Sequence, residues 1–259
     1  MHNSRLQTHS LKLGYQQTTI CQDISLSIPD KKVTVIIGPN GCGKSTLLRS
    51  LCCLLKPLSG HVSLDAQPLT SLPTKKLARQ IALLPQTMQA PSGITVANLV
   101  ARGRFPHQSF MHQWSREDKL AVETAMKETG IVEFADKTVD SLSGGQRQRV
   151  WVAMILAQQT EILLLDEPTT YLDIAYQIEL LNIFRKLNQQ QGRTVVAVLH
   201  DLNQACRYAD YLVVMVKGKI IAQGEPKSII NQALIKQVFD LECQIIPDPV
   251  VGTPMIVPC

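Results

Sequence analysis

The β-branched and apolar run Val33 to Ile37 leads straight into Gly38-Pro39-Asn40-Gly41-Cys42-Gly43-Lys44-Ser45-Thr46, after which Leu47, Leu48, Leu51, Leu54 and Leu55 repeat at helical spacing. Strand, glycine-rich loop and helix in that order leave few folds open. The strand must be buried, and the loop must turn from its end directly into a helix start. Glycines at 38, 41 and 43 let backbone N–H groups close around phosphate oxygens, Lys44 adds a point charge, and the Ser45 hydroxyl can ligate Mg²⁺. Pro39, Asn40, Cys42 and Thr46 complete this cradle.

A second phosphate-facing element lies far along the chain, in Leu142-Ser143-Gly144-Gly145-Gln146. Two glycines after a hydroxyl residue bare the N–H groups at a helix start, which is where anions bind. Between the two elements in function, though later in sequence, the apolar run Ile162 to Leu165 ends in Asp166-Glu167, at the strand end where ligand sites of parallel sheets sit. Asp166 suits Mg²⁺ held through its water shell, and Glu167, pointing the other way along an extended backbone, suits proton abstraction from water. Taken alone, the two acids also fit a solvated pair capping the next helix.

The organisation agrees with an α/β fold. Leu6, Leu11 and Leu13 mark strands before Val33, and after Gln86 the pattern turns helical: Thr95 precedes Val96, Leu99 and Val100, and Ser115 with Asp118 forms a capping box for a helix ending near Gly130. Strands Ile162–Leu165, Thr194–Leu199 and Tyr211–Val216 follow, separated by a helix expected to turn Ile174, Ile178, Leu181 and Phe184 inward. Alternating strand and helix implies a largely parallel sheet with crossover helices. Lys217-Gly218-Lys219 reads as a hairpin turn, and a short helical and extended tail closes the chain.

Composition narrows the classes. Apolar residues make up 45% and charged residues 18% of 259 residues, with a net charge of +5. That excludes a disordered chain, and the absence of a basic, aromatic-interleaved cluster argues against nucleic-acid binding. No apolar run approaches the roughly 20 residues of a membrane-spanning helix. The polar start of the chain has no signal-peptide core, so a cytoplasmic setting is expected. Seven cysteines without CxxC pairs read as reduced thiols rather than a disulfide framework or zinc site. Cys52 and Cys53 read as core. Cys42 reads either as a thiol activated by a helix N-terminus or as a small filler. Trp114 and Trp151 either pack the helical region or face a partner.

Taken together, the cradle, LSGGQ, the apolar strand ending in Asp-Glu and the later His200 resemble the ATP-binding cassette (ABC) ATPases over nearly the whole chain. The resemblance implies a P-loop NTPase (RecA-like) core, with an N-terminal antiparallel β subdomain and an inserted α-helical subdomain. A single cassette over 1–259 would have β subdomain and core in 1–86 and 158–259, and the helical subdomain with its signature in 87–157. Two such cassettes would face head to tail as a homodimer, each ATP lying between one cradle and the other copy's Ser143-Gly144-Gly145-Gln146. In that arrangement Tyr15 would stack on adenine. Gln86 would contact Mg²⁺ and the attacking water, while Asp173 would touch the opposite site and His200 would grip the γ-phosphate. Glu167 would be the base, and Lys44 would stabilise charge.

Three further stretches, Gly103-Arg104-Phe105-Pro106-His107, the run Thr169 to Gln177, and Asp248-Pro249-Val250-Val251-Gly252-Thr253-Pro254, are similar to importer ATPases for ferric siderophores, with haem and cobalamin importers as near relatives. Their residues suggest no chemistry by themselves, and Tyr171 stands where many ABC ATPases carry a small residue such as alanine or glycine. The resemblance implies an integral-membrane permease as partner, docking a helix near Gln86, and indirectly a substrate-binding protein. The expected location is the cytoplasmic face of the inner membrane. The alternatives are a haem or cobalamin importer ATPase, an exporter subunit, and a soluble ABC ATPase without a transport role.

Overall fold

The computed structural model describes residues 4–16, 18–109, 114–170 and 172–259. The chain begins with strands β1 (Leu6–Tyr15), β2 (Thr18–Ile28) and β3 (Val33–Ile37), followed by helix α1 (Lys44–Leu51). Next come β4 (Ser59–Leu64), β5 (Gln67–Pro68), α2 (Thr74–Ala78) and β6 (Ile81–Leu84). A helical stretch holds α3 (Val96–Ala101), α4 (Arg116–Glu128) and α5 (Gly144–Ala157). Then β7 (Ile162–Asp166), α6 (Ile174–Gln191), β8 (Thr194–Val198), α7 (Leu202–Tyr208), β9 (Tyr211–Val216) and β10 (Lys219–Gly224) alternate. Helices α8 (Pro226–Ile229) and α9 (Gln232–Phe239) and the hairpin β11 (Cys243–Pro247) and β12 (Pro254–Pro258) close the chain.

Three sheets result. One is antiparallel, in the order β2-β1-β4-β5; a six-stranded sheet runs β10-β9-β3-β8-β7-β6; and β11 pairs β12. In the six-stranded sheet β9, β3, β8, β7 and β6 are parallel, with β10 antiparallel at one edge. Its central strands are buried along their whole length because both faces are covered. Alternation divides them: Val33, Val35, Ile37, Leu163 and Leu165 pack with α3–α7. Ile36, Ile162 and Leu164 pack with Leu47, Leu48 and Leu51 of α1 and with the antiparallel sheet. The capping box at Ser115 and Asp118 forms as the sequence predicts, and Gly130 lies just beyond α4 with φ +63°.

Some expectations fail for local reasons. Helix α1 stops at Leu51, so Leu54 is 69% exposed rather than packed. Cys53, at φ +64°, donates to the Ser50 carbonyl and Leu54 donates to that of Arg49, the paired bonds of a Schellman end. Consequently Cys53 is exposed rather than core, while Cys52 is half-buried and packs against the core around α1. Ile174, the first residue of α6, is 74% exposed, whereas Leu181 and Phe184 point inward as expected.

The two later stretches that lacked a chemical reading tie neighbouring elements to α7. Asp248 accepts from the Val250 and Val251 amides and from Arg207 of α7, tying the β11–β12 hairpin to that helix. Gln177 donates to Leu172 and accepts from Gln204, joining α6 to α7. Tyr171 lies outside the described residues.

Candidate functional site

Four adjacent parallel strands end on one edge, and each delivers part of the site there. Strand β3 leads to the cradle, β8 to His200, β7 to Asp166 and Glu167, and β6 to Gln86. Gly38 is required by packing, since a Cβ there would stand 2.1 Å from the Met215 carbonyl oxygen. Lys44, 5% exposed, folds back over the loop and donates to the Gly38 and Pro39 carbonyls at 2.8 and 3.0 Å. Its ammonium is parked at the mouth of the cradle.

Behind it the Ser45 hydroxyl donates to Asp166 Oδ1 at 2.8 Å. Asp166 is buried, and burial first, with the neighbouring Glu167 charge second, lifts its carboxyl above the usual range against the Ser45 bond. A buried carboxylate beside a hydroxyl is a hard-oxygen donor pair, which fits Mg²⁺ shared with phosphate oxygens better than an all-protein cage. Among the described residues no cluster of three or more His, Cys, Asp or Glu forms such a cage.

Glu167 is the hub. Its backbone turns left-handed at φ +53°, so it does not continue the extended strand as the sequence suggested. The side chain, 11% exposed, has Oε1 2.7 Å from His200 Nε2, while Oε2 accepts from Gln86 Nε2 at 2.6 Å. Thr170 joins through its hydroxyl at 3.4 Å. Sequence reading missed Thr170, yet Pro168 directly after two acids signals a turn, and that turn closes with the Thr170 amide on the Glu167 carbonyl.

The second element expected to face phosphate begins α5. Ser143 caps α5, its hydroxyl accepting from the Gln146 amide while the Gln146 side chain accepts from the Ser143 amide. Gly144 has no atom within 4 Å of where a Cβ would be, and its φ is not positive. Nothing in its own chain requires glycine there. Gly144, Gln86, Trp151 and Thr170 line one cavity of about 280 Å³, and among the described residues no hydrogen bond joins Ser143–Gln146 or Asp173 to the cradle or Glu167. Asp173 caps α6, accepting from the Tyr176 amide at 3.1 Å. Tyr15, 44% exposed, ends β1 opposite Thr18, on the hairpin whose Cys21 and Ile20 pack against Gly43.

Cys42 is 4% exposed, and burial pushes its thiol pKa up, the reverse of activation at a helix start. It fills space beneath Gly38. Trp114, half exposed, lines a separate groove of about 630 Å³ with Phe105.

Comparison with known proteins matches residues 21–170 to the ABC transporter family. The ferric enterobactin transport ATP-binding protein FepC of Escherichia coli is 54% identical, over 98% of this chain and 94% of that protein. The petrobactin import ATP-binding protein FpuD of Bacillus anthracis is 53% identical, over 98% and 93% respectively. Among solved structures, the dimeric form of MJ0796, a bacterial ABC transporter cassette, is 27% identical with a TM-score of 0.76, covering 85% of this chain and 98% of that one. The family match spans the cradle, signature and Asp-Glu strand, and this chain belongs to the ABC transporter family as one of its ATP-binding proteins.

Proposed function

We propose that this protein hydrolyses ATP as one of two identical cassettes and so drives uptake of ferric siderophore through a separate integral-membrane permease. It would sit at the cytoplasmic face of the inner membrane, and a substrate-binding protein would deliver the cargo to the permease. No helix of the described residues is long and apolar enough to cross a membrane itself. The cargo reading rests on identity above half, nearly end to end, with ferric enterobactin and petrobactin ATPases.

The observation that carries the dimer is Gly144, a helical glycine with open space around it that its own chain leaves unused. Its N–H groups fit the triphosphate held by a second copy. In the cradle, Lys44 exchanges the Gly38 and Pro39 carbonyls for phosphate oxygens, and backbone N–H groups from Asn40 to Thr46 share the charge. Ser45 and Asp166 would hold Mg²⁺, which supplies charge neutralisation on the phosphates. Tyr15 offers an exposed ring for adenine. Asp173 and Ser143 to Gln146 meet the opposite site.

Glu167 orients the attacking water and takes its proton, flanked by His200 and Gln86. Both of its oxygens are occupied here, so binding of ATP and the second copy must release one of them. His200 then turns to the γ-phosphate. Stabilisation of spread charge, rather than covalent chemistry, dominates the rate.

The test of cargo is growth. Deleting the gene should abolish use of a ferric siderophore as iron source while haem and cobalamin use persist; loss of either of the latter instead would overturn the assignment. A tagged protein isolated from detergent-solubilised membranes should carry a stoichiometric multi-span partner. Its absence would favour a soluble ABC ATPase.

A further inference from the structure

The nucleotide chemistry gathers where the parallel strands end, whereas an open cleft of about 780 Å³ lies where they begin and serves none of it. Lys32 stands just before β3 and Tyr211 opens β9, and both line the cleft. The five residues of β3, at about 3.3 Å each, put roughly 16 Å of strand between it and the cradle. The middle of α6, the end of α7 and the start of α8 complete its walls. A cleft of this volume holds a small organic molecule.

Its surface is rich in donors and poor in free acceptors. Four cations line it: Lys32 before β3, Arg185 on α6, Arg207 on α7 and Lys227 on α8. The two arginines are fixed by acids. Arg185 Nη1 donates to Asp210 Oδ1 at 3.0 Å, and Asp210 Oδ2 accepts from the Val33 amide at 2.9 Å. Arg207 donates from Nε and Nη2 to Asp248 Oδ2 at 3.0 and 2.7 Å, and Asp248 Oδ1 accepts from the Val250 and Val251 amides. Each carboxylate is engaged at both oxygens, while Arg185 Nη2 and Arg207 Nη1 have no acceptor among the described residues.

Lys32 and Lys227 have no carboxylate partner among the described residues, and of the acids lining the cleft only the exposed Glu225 is unpaired there. Two lysines against one acid leave positive charge in excess. Tyr211 adds a neutral donor, since its hydroxyl bonds nothing among the described residues and burial pushes its pKa up, keeping the proton on oxygen. Pro29, Ile178 and Ala209 supply apolar surface for a carbon skeleton.

We propose that this cleft binds a small organic polyanion, with two or more carboxylate or phosphate groups, through Lys32, Arg185, Arg207, Lys227 and the Tyr211 hydroxyl. Guanidinium N–H groups match the oxygens of either acid, and these two, already held by Asp210 and Asp248, lose little freedom when a ligand arrives. The lysines supply the excess charge that favours an anion over a neutral ligand. Neither the nucleotide site nor a second copy takes part.

The test is calorimetric titration of the full chain with ADP in saturating amount, so that the cradle is filled. Citrate provides the carboxylate arm, fructose 1,6-bisphosphate the phosphate arm, and acetate the singly charged control. At least one polyanion should bind one site per chain with a Kd below about 1 mM, and the tighter of the two names the class. Lys32→Gln and Lys227→Gln should each weaken binding roughly three- to tenfold, and Tyr211→Phe roughly threefold, the worth of one hydrogen bond. Glu225→Gln, which removes the opposing charge, should tighten it by about twofold. Thermal melting confirms that each exposed substitution leaves the fold intact. Absence of saturation by either polyanion below about 1 mM, binding no tighter than that of acetate, or an affinity indifferent to both lysine substitutions would overturn the proposal.

Discussion

Replacing Gly144 by alanine should make the protein more stable and less active at once. Gly144 is the first residue of α5, in a helical conformation, and an added methyl would meet nothing within 4 Å. Alanine in a helix is favoured over glycine by about 0.5–1 kcal/mol, and at a first-turn position the lower figure applies. For a chain of this length that raises the melting temperature by about 1–2 °C. The same methyl stands on the bare face that the proposed two-copy site turns to the second copy's phosphate. Denying one amide donor to developing phosphate charge costs roughly 10²-fold in rate. Scanning fluorimetry and steady-state ATPase assays on the same preparation separate the two effects. Turnover within twofold of the unsubstituted protein would refute the reasoning, because an untouched Gly144 would need no bareness.

Other outcomes follow from the same geometry. Asp118→Ala leaves the Arg104 guanidinium buried without its carboxylate and should cost about 3–5 kcal/mol, read from a denaturant midpoint; a cost below about 1 kcal/mol would mean the pair is effectively solvated. At Asp118 burial opposes ionisation, but Arg104 and the Ser115 amide outweigh it and hold the carboxyl below its usual range; at Asp248 the Val250 amide and Arg207 act in the same direction. Stability from both is complete above the unfolded carboxyl value of about 3.9 and is lost as pH falls below it, so Asp248→Asn should flatten part of the acid-unfolding curve. With a thiol reagent, exposed Cys53 and Cys259 should react in the native protein, whereas Cys42 and Cys206, the latter pushed up to about 12 by burial, should stay silent until denaturant is added. Mass spectrometry of the quenched reaction would reveal early Cys42 labelling, the contrary result.

Much of the architecture could be read from residues because local signals agreed with tertiary demand. Val33 to Ile37 and Ile162 to Leu165 are apolar on both faces, and such runs belong in a covered parallel sheet. Ser115 with Asp118, and Ser143 with Gln146, announce helix starts through side chains that then form those bonds. The misses fall where a residue adopts a conformation its type does not advertise. Cys53 takes the left-handed position usually given to glycine, so nothing in the leucine spacing shows α1 ending early. Glu167 does likewise after β7, and the meeting of its carboxylate with His200, Gln86 and Thr170 depends on that turn. Arg104 and His107 stayed opaque because, beside the Asp118 and Gln159 side chains that Arg104 also meets, both donate to carbonyls about fifty residues away, those of Ala157 and Gln158, which no side-chain pattern encodes.

The central claim, that a working ATP site is assembled from two copies, is tested most directly by determining the structure of the Glu167→Gln protein with ATP and Mg²⁺. The account predicts a dimer in which each triphosphate lies between Lys44 of one copy and Ser143 of the other. A monomer holding ATP, or a nucleotide enclosed by Lys44 and Ser143 of a single chain, would contradict it.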